Sequence, residues 1–117
     1  MIFSIADHIE QIKNGSKTQT RRLSKTYLVG KTYSIQPGRT KPGIPEGRIL
    51  ITKKREEAFL DGILSASDAL AEGGYNSGQF ESLFQRMYPT WTKRYAYTFE
   101  FVPSSSRTQT LATKVKT

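Results

Sequence analysis

The 117 residues contain no cysteine and a single histidine, His8. The missing cysteines exclude a disulfide framework and thiolate metal sites, so a buried apolar core must hold the fold unaided. With one histidine, a transition-metal centre would have to be built from carboxylates, and neither a metal nor another cofactor is expected. No stretch approaches the roughly twenty apolar residues needed to cross a bilayer, and the N-terminus has neither the basic start nor the apolar run of a signal peptide. The expectation is a cytoplasmic protein with no membrane partner. Acids are scarce where bases are dense. Between Lys13 and Arg55 stand twelve Lys or Arg and one acid, Glu46.

That imbalance, within a formal net charge of +8, points to a polyanionic partner. The length suits one domain with one modest core. Residues 103–117 carry Arg107, Lys114 and Lys116 with no acid and few apolar side chains, too little to offset the entropy of ordering them. We therefore read 1–102 as the domain and 103–117 as a flexible basic tail.

The pattern predicts an α+β chain. Ile5, Ile9 and Ile12 share one helical face, with Ser4 as N-cap, Asp7 three residues on, and Asn14-Gly15 as a left-handed stop. His8 is expected on the solvated side of that helix. Strands are predicted over 32–36 and 48–52, separated by a Pro- and Gly-rich loop that carries Arg39 and Lys41. A second helix begins after Ser65 and ends at Gly73-Gly74, just past Glu72. A third, over 78–87, aligns Phe80, Leu83, Phe84 and Met87 and cannot pass Pro89. Residues 94–102 alternate as a strand apolar on both faces, expected near the sheet centre, and Trp91 is expected to be buried.

The octet at 15–22, Gly-Ser-Lys-Thr-Gln-Thr-Arg-Arg, is the candidate centre of function. It is not a P-loop, which needs Gly-Lys-Ser/Thr between a strand and a following helix; here a helix comes first. Its setting instead resembles the ASCH family. An Ile-x-x-Gly-x-Lys-Thr-x-Thr-Arg-Arg ending spans Ile12 to Arg22, and Tyr-x-Ile-Gln-Pro-Gly-Arg-x-Lys spans Tyr33 to Lys41. Gly-Arg-Ile-x-Ile spans Gly47 to Ile51, and Ser-x-x-Asp-Ala-x-x-Glu-Gly spans Ser65 to Gly73. Four ordered motifs over about a hundred residues are more specific than any one of them.

The resemblance implies a small PUA-like mixed β-barrel with about three flanking helices, associated with RNA. Its cleft would be lined by Lys17, Thr20, Arg22 and Glu72. Arg22, Arg21, Arg39 and Lys41 are then the candidate contacts to substrate or RNA, Arg offering a planar fork for phosphate or a base edge. Two bland readings stand beside these roles: an Arg22–Glu72 pair that only joins strand to helix, and a solvated basic surface of Arg21, Lys25, Lys53, Lys54 and Arg55. Tyr27 and Tyr75 are candidates to stack on a base.

Three functions follow. The first is a module binding RNA or a nucleotide. The second is a metal-independent amidohydrolase, because some ASCH-like proteins cleave the amide of N4-acylated cytidine. Thr20 would be its nucleophile, Lys17 the base and Glu72 the proton shuttle. The third is a ribonuclease using the same residues. The oligomeric state stays open.

Overall fold

The computed structural model describes residues 1–104; residues 105–117, most of the expected tail, lie outside the described residues. Three helices and four strands follow in the order α1 (Ala6–Asn14), β1 (Gln19–Arg22), β2 (Thr32–Ser34), β3 (Gly47–Ala58), α2 (Ala66–Gly73), α3 (Ser77–Met87) and β4 (Lys93–Pro103). The strands form one antiparallel sheet in the order β1-β4-β3-β2, so β4 is internal as expected. The sheet ladder is open, with β1 and β2 as its edges. Ile2 adds one parallel bridge to Gln36. No helix among the described residues is long and apolar enough to cross a membrane.

Two apolar clusters lie on opposite sides of β4. Met1, Phe3, Ile12, Ile35, Ile49, Ile51, Tyr97 and Phe99 pack α1 against one face. Leu64, Ala69, Phe80, Phe84 and Trp91 join α2 and α3 on the other. The helix stops are those the sequence predicts. Gly15 and Gly74 take φ of 86° and 85°, left-handed values that glycine adopts without a Cβ penalty. Ser65 caps α2 by accepting from the Asp68 N–H at 3.1 Å. The start of α1 differs from expectation. Its N-cap is Ile5, with no side-chain cap, because Ser4 falls one residue too early.

β3 runs six residues beyond the predicted strand end, through a charged stretch with no apolar period. A bulge makes that extension useful. Ile51 pairs with Phe99, but the next partner, Thr98, faces Lys53, leaving Thr52 as the extra residue. A one-residue slip reverses which face each later side chain takes. Glu57 is thereby turned away from the Ile51 face and set opposite Arg94.

Candidate functional site

Three pieces of local structure bring the site together. The left-handed turn at Gly15 doubles the chain back so that the Ser16 and Lys17 N–H groups both donate to the Gln11 carbonyl, at 2.9 and 3.0 Å. Lys17 is thus driven inward, 2% exposed. Thr18 then ties the segment to two elements, donating its N–H to Ala71 of α2 and accepting from Phe99 of β4, both at 2.9 Å. From Gln19 the chain is a strand, and period-two alternation puts Thr20 and Arg22 on the same face.

A cavity of about 330 Å³ opens there, within the size range of small-molecule sites, roughly 300–1,000 Å³. Lys17, Thr20, Arg22 and Glu72 line it, with Phe3, Ile5 and His8 on the α1 side. Leu83, Met87 and Tyr88 form an apolar wall from α3 and its end, and Arg39 stands exposed at the lining's edge. Polar cation floor and apolar wall together suit a flat polar ligand.

The Lys17 ammonium donates to the Gln19 carbonyl at 2.8 Å, to the Glu72 carbonyl, and to Glu72 Oε1 at 3.4 Å. Burial pushes its pKa down to about 8; Glu72 opposes the shift and Arg22 adds to it. His8 donates to or accepts from the Tyr75 hydroxyl at 2.8 Å. Burial, then the charges of Lys17 and Arg22, lower His8 to about 4, so it is neutral near pH 7. The predicted solvated His8 is therefore a half-buried wall of the cavity, because α1 turns that side toward Tyr75 and Gly73.

Arg22 donates its Nε–H to Thr20 Oγ1 at 3.0 Å and lays its guanidinium over the Phe3 ring, 4.7 Å from the centroid. No carboxylate among the described residues lies within ion-pairing distance of it. The expected Arg22–Glu72 pair is not formed. Glu72, 2% exposed, gives Oε1 to Lys17 and Oε2 to Arg21, the latter at 2.8 Å.

Arg21 is the larger correction. Instead of joining a solvated surface it is buried on the other side of β1. Its Nε donates to Glu57 at 2.9 Å, Nη1 to Gln19 and Glu72 at 3.0 and 2.8 Å, and Nη2 to Glu57 and Asp68 at 3.0 and 3.4 Å. Five N–H donors meet five acceptors, leaving none for a ligand in this arrangement. Glu57 also accepts from Arg94 Nε at 2.8 Å, and Arg94 forks onto Glu81 at 3.0 and 2.9 Å. Hydrogen bonds from Arg21, Arg55 and Arg94 outweigh burial and hold the Glu57 carboxyl down at about 2.

Lys17, Thr20, Arg21, Arg22, Glu72 and Arg39 all border one cavity, Arg21 with its donors already engaged by carboxylates and Gln19; Lys41 is exposed and does not line it. Sequence reading missed Glu57, Glu81 and Arg94. The usable signal was slight: an arginine opening a strand otherwise built for the core. Tyr27 and Tyr75 pack against the two apolar clusters instead of standing free to stack. Trp91 is buried as expected.

No family model and no curated protein match the chain. Among solved structures, the crystal structure of protein EF3133 from Enterococcus faecalis, described by the family model DUF984, superposes with a TM-score of 0.59. The match covers 87% of this chain and 72% of that one at 19% identity, which shows a shared fold.

Proposed function

We propose that residues 1–102 form an ASCH-like domain of PUA-like type, its open sheet curling as the wall of a barrel, that binds RNA or a nucleotide in the Lys17–Thr20–Arg22 cavity. One observation carries this reading: a guanidinium fixed on an aromatic ring inside a cavity, with two Nη groups for which no acceptor is found among the described residues. Such a fork suits phosphate oxygens or the acceptor edge of a base. The apolar wall of Leu83, Met87 and Tyr88 is suited to cover the flat face of a ring. The test is titration of the full chain with short single-stranded RNA and with mononucleotides, followed by amide chemical shifts. Shifts centred on Phe3, Thr20 and Arg22, and binding that weakens as salt rises, are expected. Absence of binding at low salt would remove the proposal.

The depressed pKa of Lys17 favours one second reading, the amidohydrolase. Thr20 Oγ would attack the acyl carbonyl, the C–N bond would break with a proton delivered to the departing amine, and water would then hydrolyse the ester. Lys17 has all three donors engaged, so it must pass a proton to Glu72 before it can take one from Thr20. Release of cytidine from N4-acetylcytidine, abolished by Thr20→Val, is the expected result. An unchanged substrate after long incubation with concentrated protein rejects this chemistry.

A further inference from the structure

The cavity is unevenly charged in a way that narrows its ligand. Among the described residues that line it are Lys17, Arg21, Arg22 and Arg39, with Glu72 as the one acid. Both oxygens of that acid are held, one by Lys17 and one by Arg21. Arg22 is therefore a largely enclosed cation that no carboxylate among the described residues pairs directly. A buried cation without a partner is costly, and a ligand that brings the missing charge removes that cost.

We infer that the cavity takes its ligand as an anion, a phosphomonoester whose oxygens bridge Nη1 and Nη2 of Arg22, so that a mononucleotide or a 5′-phosphorylated RNA end binds where a neutral nucleoside does not. The inference rests on the nucleotide reading above and sharpens it. The geometry is specific about where the phosphate goes. Nε is anchored on Thr20 and the guanidinium plane is seated on Phe3, which leaves the Nη edge as the open side of the fork. Lys17 is too fully engaged to serve as the primary phosphate contact. Neighbouring groups respond to the same unanswered field. The Met1 amine is lowered by burial and then by Arg22 and Arg48, and His8 by burial and then by Lys17 and Arg22. An anion seated on Arg22 would relieve both.

Calorimetric titration of the wild-type chain and of Arg22→Gln, at low salt, decides the matter. The probes are the four common nucleosides, their 5′-monophosphates, ribose 5-phosphate, and one trinucleotide with and without a 5′-phosphate. At least one monophosphate should bind thirtyfold or more tightly than its nucleoside, and Arg22→Gln should bring the two together. A trinucleotide that gains as much from its 5′-phosphate identifies an RNA end as a ligand; one that gains nothing restricts the site to mononucleotides. Nucleosides binding as tightly as their monophosphates would overturn the anion inference and leave the nucleotide reading standing. Ribose 5-phosphate binding as tightly as every monophosphate would keep the anion site and overturn the nucleotide reading. Failure of every probe overturns both. Should Arg22→Gln fold poorly, the His8 ring resonances of the wild type supply a second readout: the bound monophosphate should raise the His8 pKa, and no change would count against the inference.

Discussion

The two faces of β1 place the same side chain in opposite circumstances. On the α2 side, Arg21 has every N–H matched by a carboxylate or amide oxygen, and the network continues through Glu57 to Arg94 and Glu81. On the cavity side, one residue later, Arg22 has a hydroxyl, an aromatic ring and no acid within ion-pairing distance among the described residues. A saturated buried cation stabilises the surrounding fold only while all its partners stay, whereas an unsaturated one contributes little to the fold and keeps its donors for something else. Identical chemistry is thus divided into a saturated cation and one with donors to spare by alternation along a four-residue strand.

The comparison breaks most sharply at Arg21→Gln. Glutamine cannot replace five donors, so Glu57, Glu72 and Asp68 are left partly unpaired, and Glu57 keeps only Arg94 and the more exposed Arg55. We expect a loss of about 3–5 kcal/mol, the usual cost of removing one partner from a buried ion pair. For a domain near a hundred residues that is a fall in Tm of more than about 10 °C. Arg94→Ala should be comparable, because it also removes a guanidinium lying 4.3 Å from the Trp91 ring centroid. Thermal melts of both variants check this, and Tm values close to wild type would show that the network is not structural.

Acid should weaken the fold in two stages, one at the cavity wall and one in this network. His8 is lowered from 6.5 to about 4 and Glu57 from 4.5 to about 2. In each case the unfolded chain binds a proton at a higher pH than the folded one, so stability falls as pH drops. The His8 contribution is lost between about 6.5 and 4, and the Glu57 contribution between about 4.5 and 2. Lys17 acts at the other end: its folded value of about 8 lies under the ordinary 10.5, so stability should rise between those values. Urea unfolding across about pH 2–11 measures all three, and His8→Gln should erase only the upper acid step.

Gly73→Ala is expected to be smaller, about 1–3 kcal/mol. Gly73 has φ of 149°, and a Cβ there would sit 2.9 Å from His8 Nε2 and 3.1 Å from Tyr75 Cε2. Gly74, with φ of 85° and open space around it, makes the control: Gly74→Ala carries only the left-handed backbone penalty, about 1 kcal/mol. Chemical denaturation of the pair separates crowding behind the cavity from helix termination. Equal losses would mean that the close approach of α1 to Gly73 is not important.

Much of the scaffold was legible because it follows local rules. Gly15 and Gly74 stop helices where a left-handed residue is needed, Ser65 caps through its hydroxyl on the N–H three residues on, and β4 declares itself central through its run of alternate aromatics. The bulge at Thr52 was not legible. Thr-Lys-Lys-Arg carries no period, and the slip that turns Glu57 toward Arg94 is decided by pairing with a strand forty residues away. The fate of Arg21 depends on that slip, so no reading of the octet alone separates Arg21 from Arg22. Alternation does place Thr20 beside Arg22, and the parity conflict at Lys17 is resolved by the turn after Gly15.

Arg22→Gln, the same substitution moved by one residue, should give the smallest change in stability and thereby the most direct check on the comparison. Losing the contact with Phe3 and the hydrogen bond to Thr20 removes about 1–2 kcal/mol of favourable interaction. Deleting a partly buried charge that has no direct counter-ion among the described residues returns a similar amount, because burial pushes the Arg22 pKa down even against the more distant Glu72. The two effects oppose each other, and the net change in unfolding free energy should lie within about 1 kcal/mol of zero. A loss as large as that of Arg21→Gln would mean that Arg22 is also scaffold. A neutral Arg22→Gln that folds normally and no longer binds monophosphates would instead establish that its donors are held in reserve for a ligand.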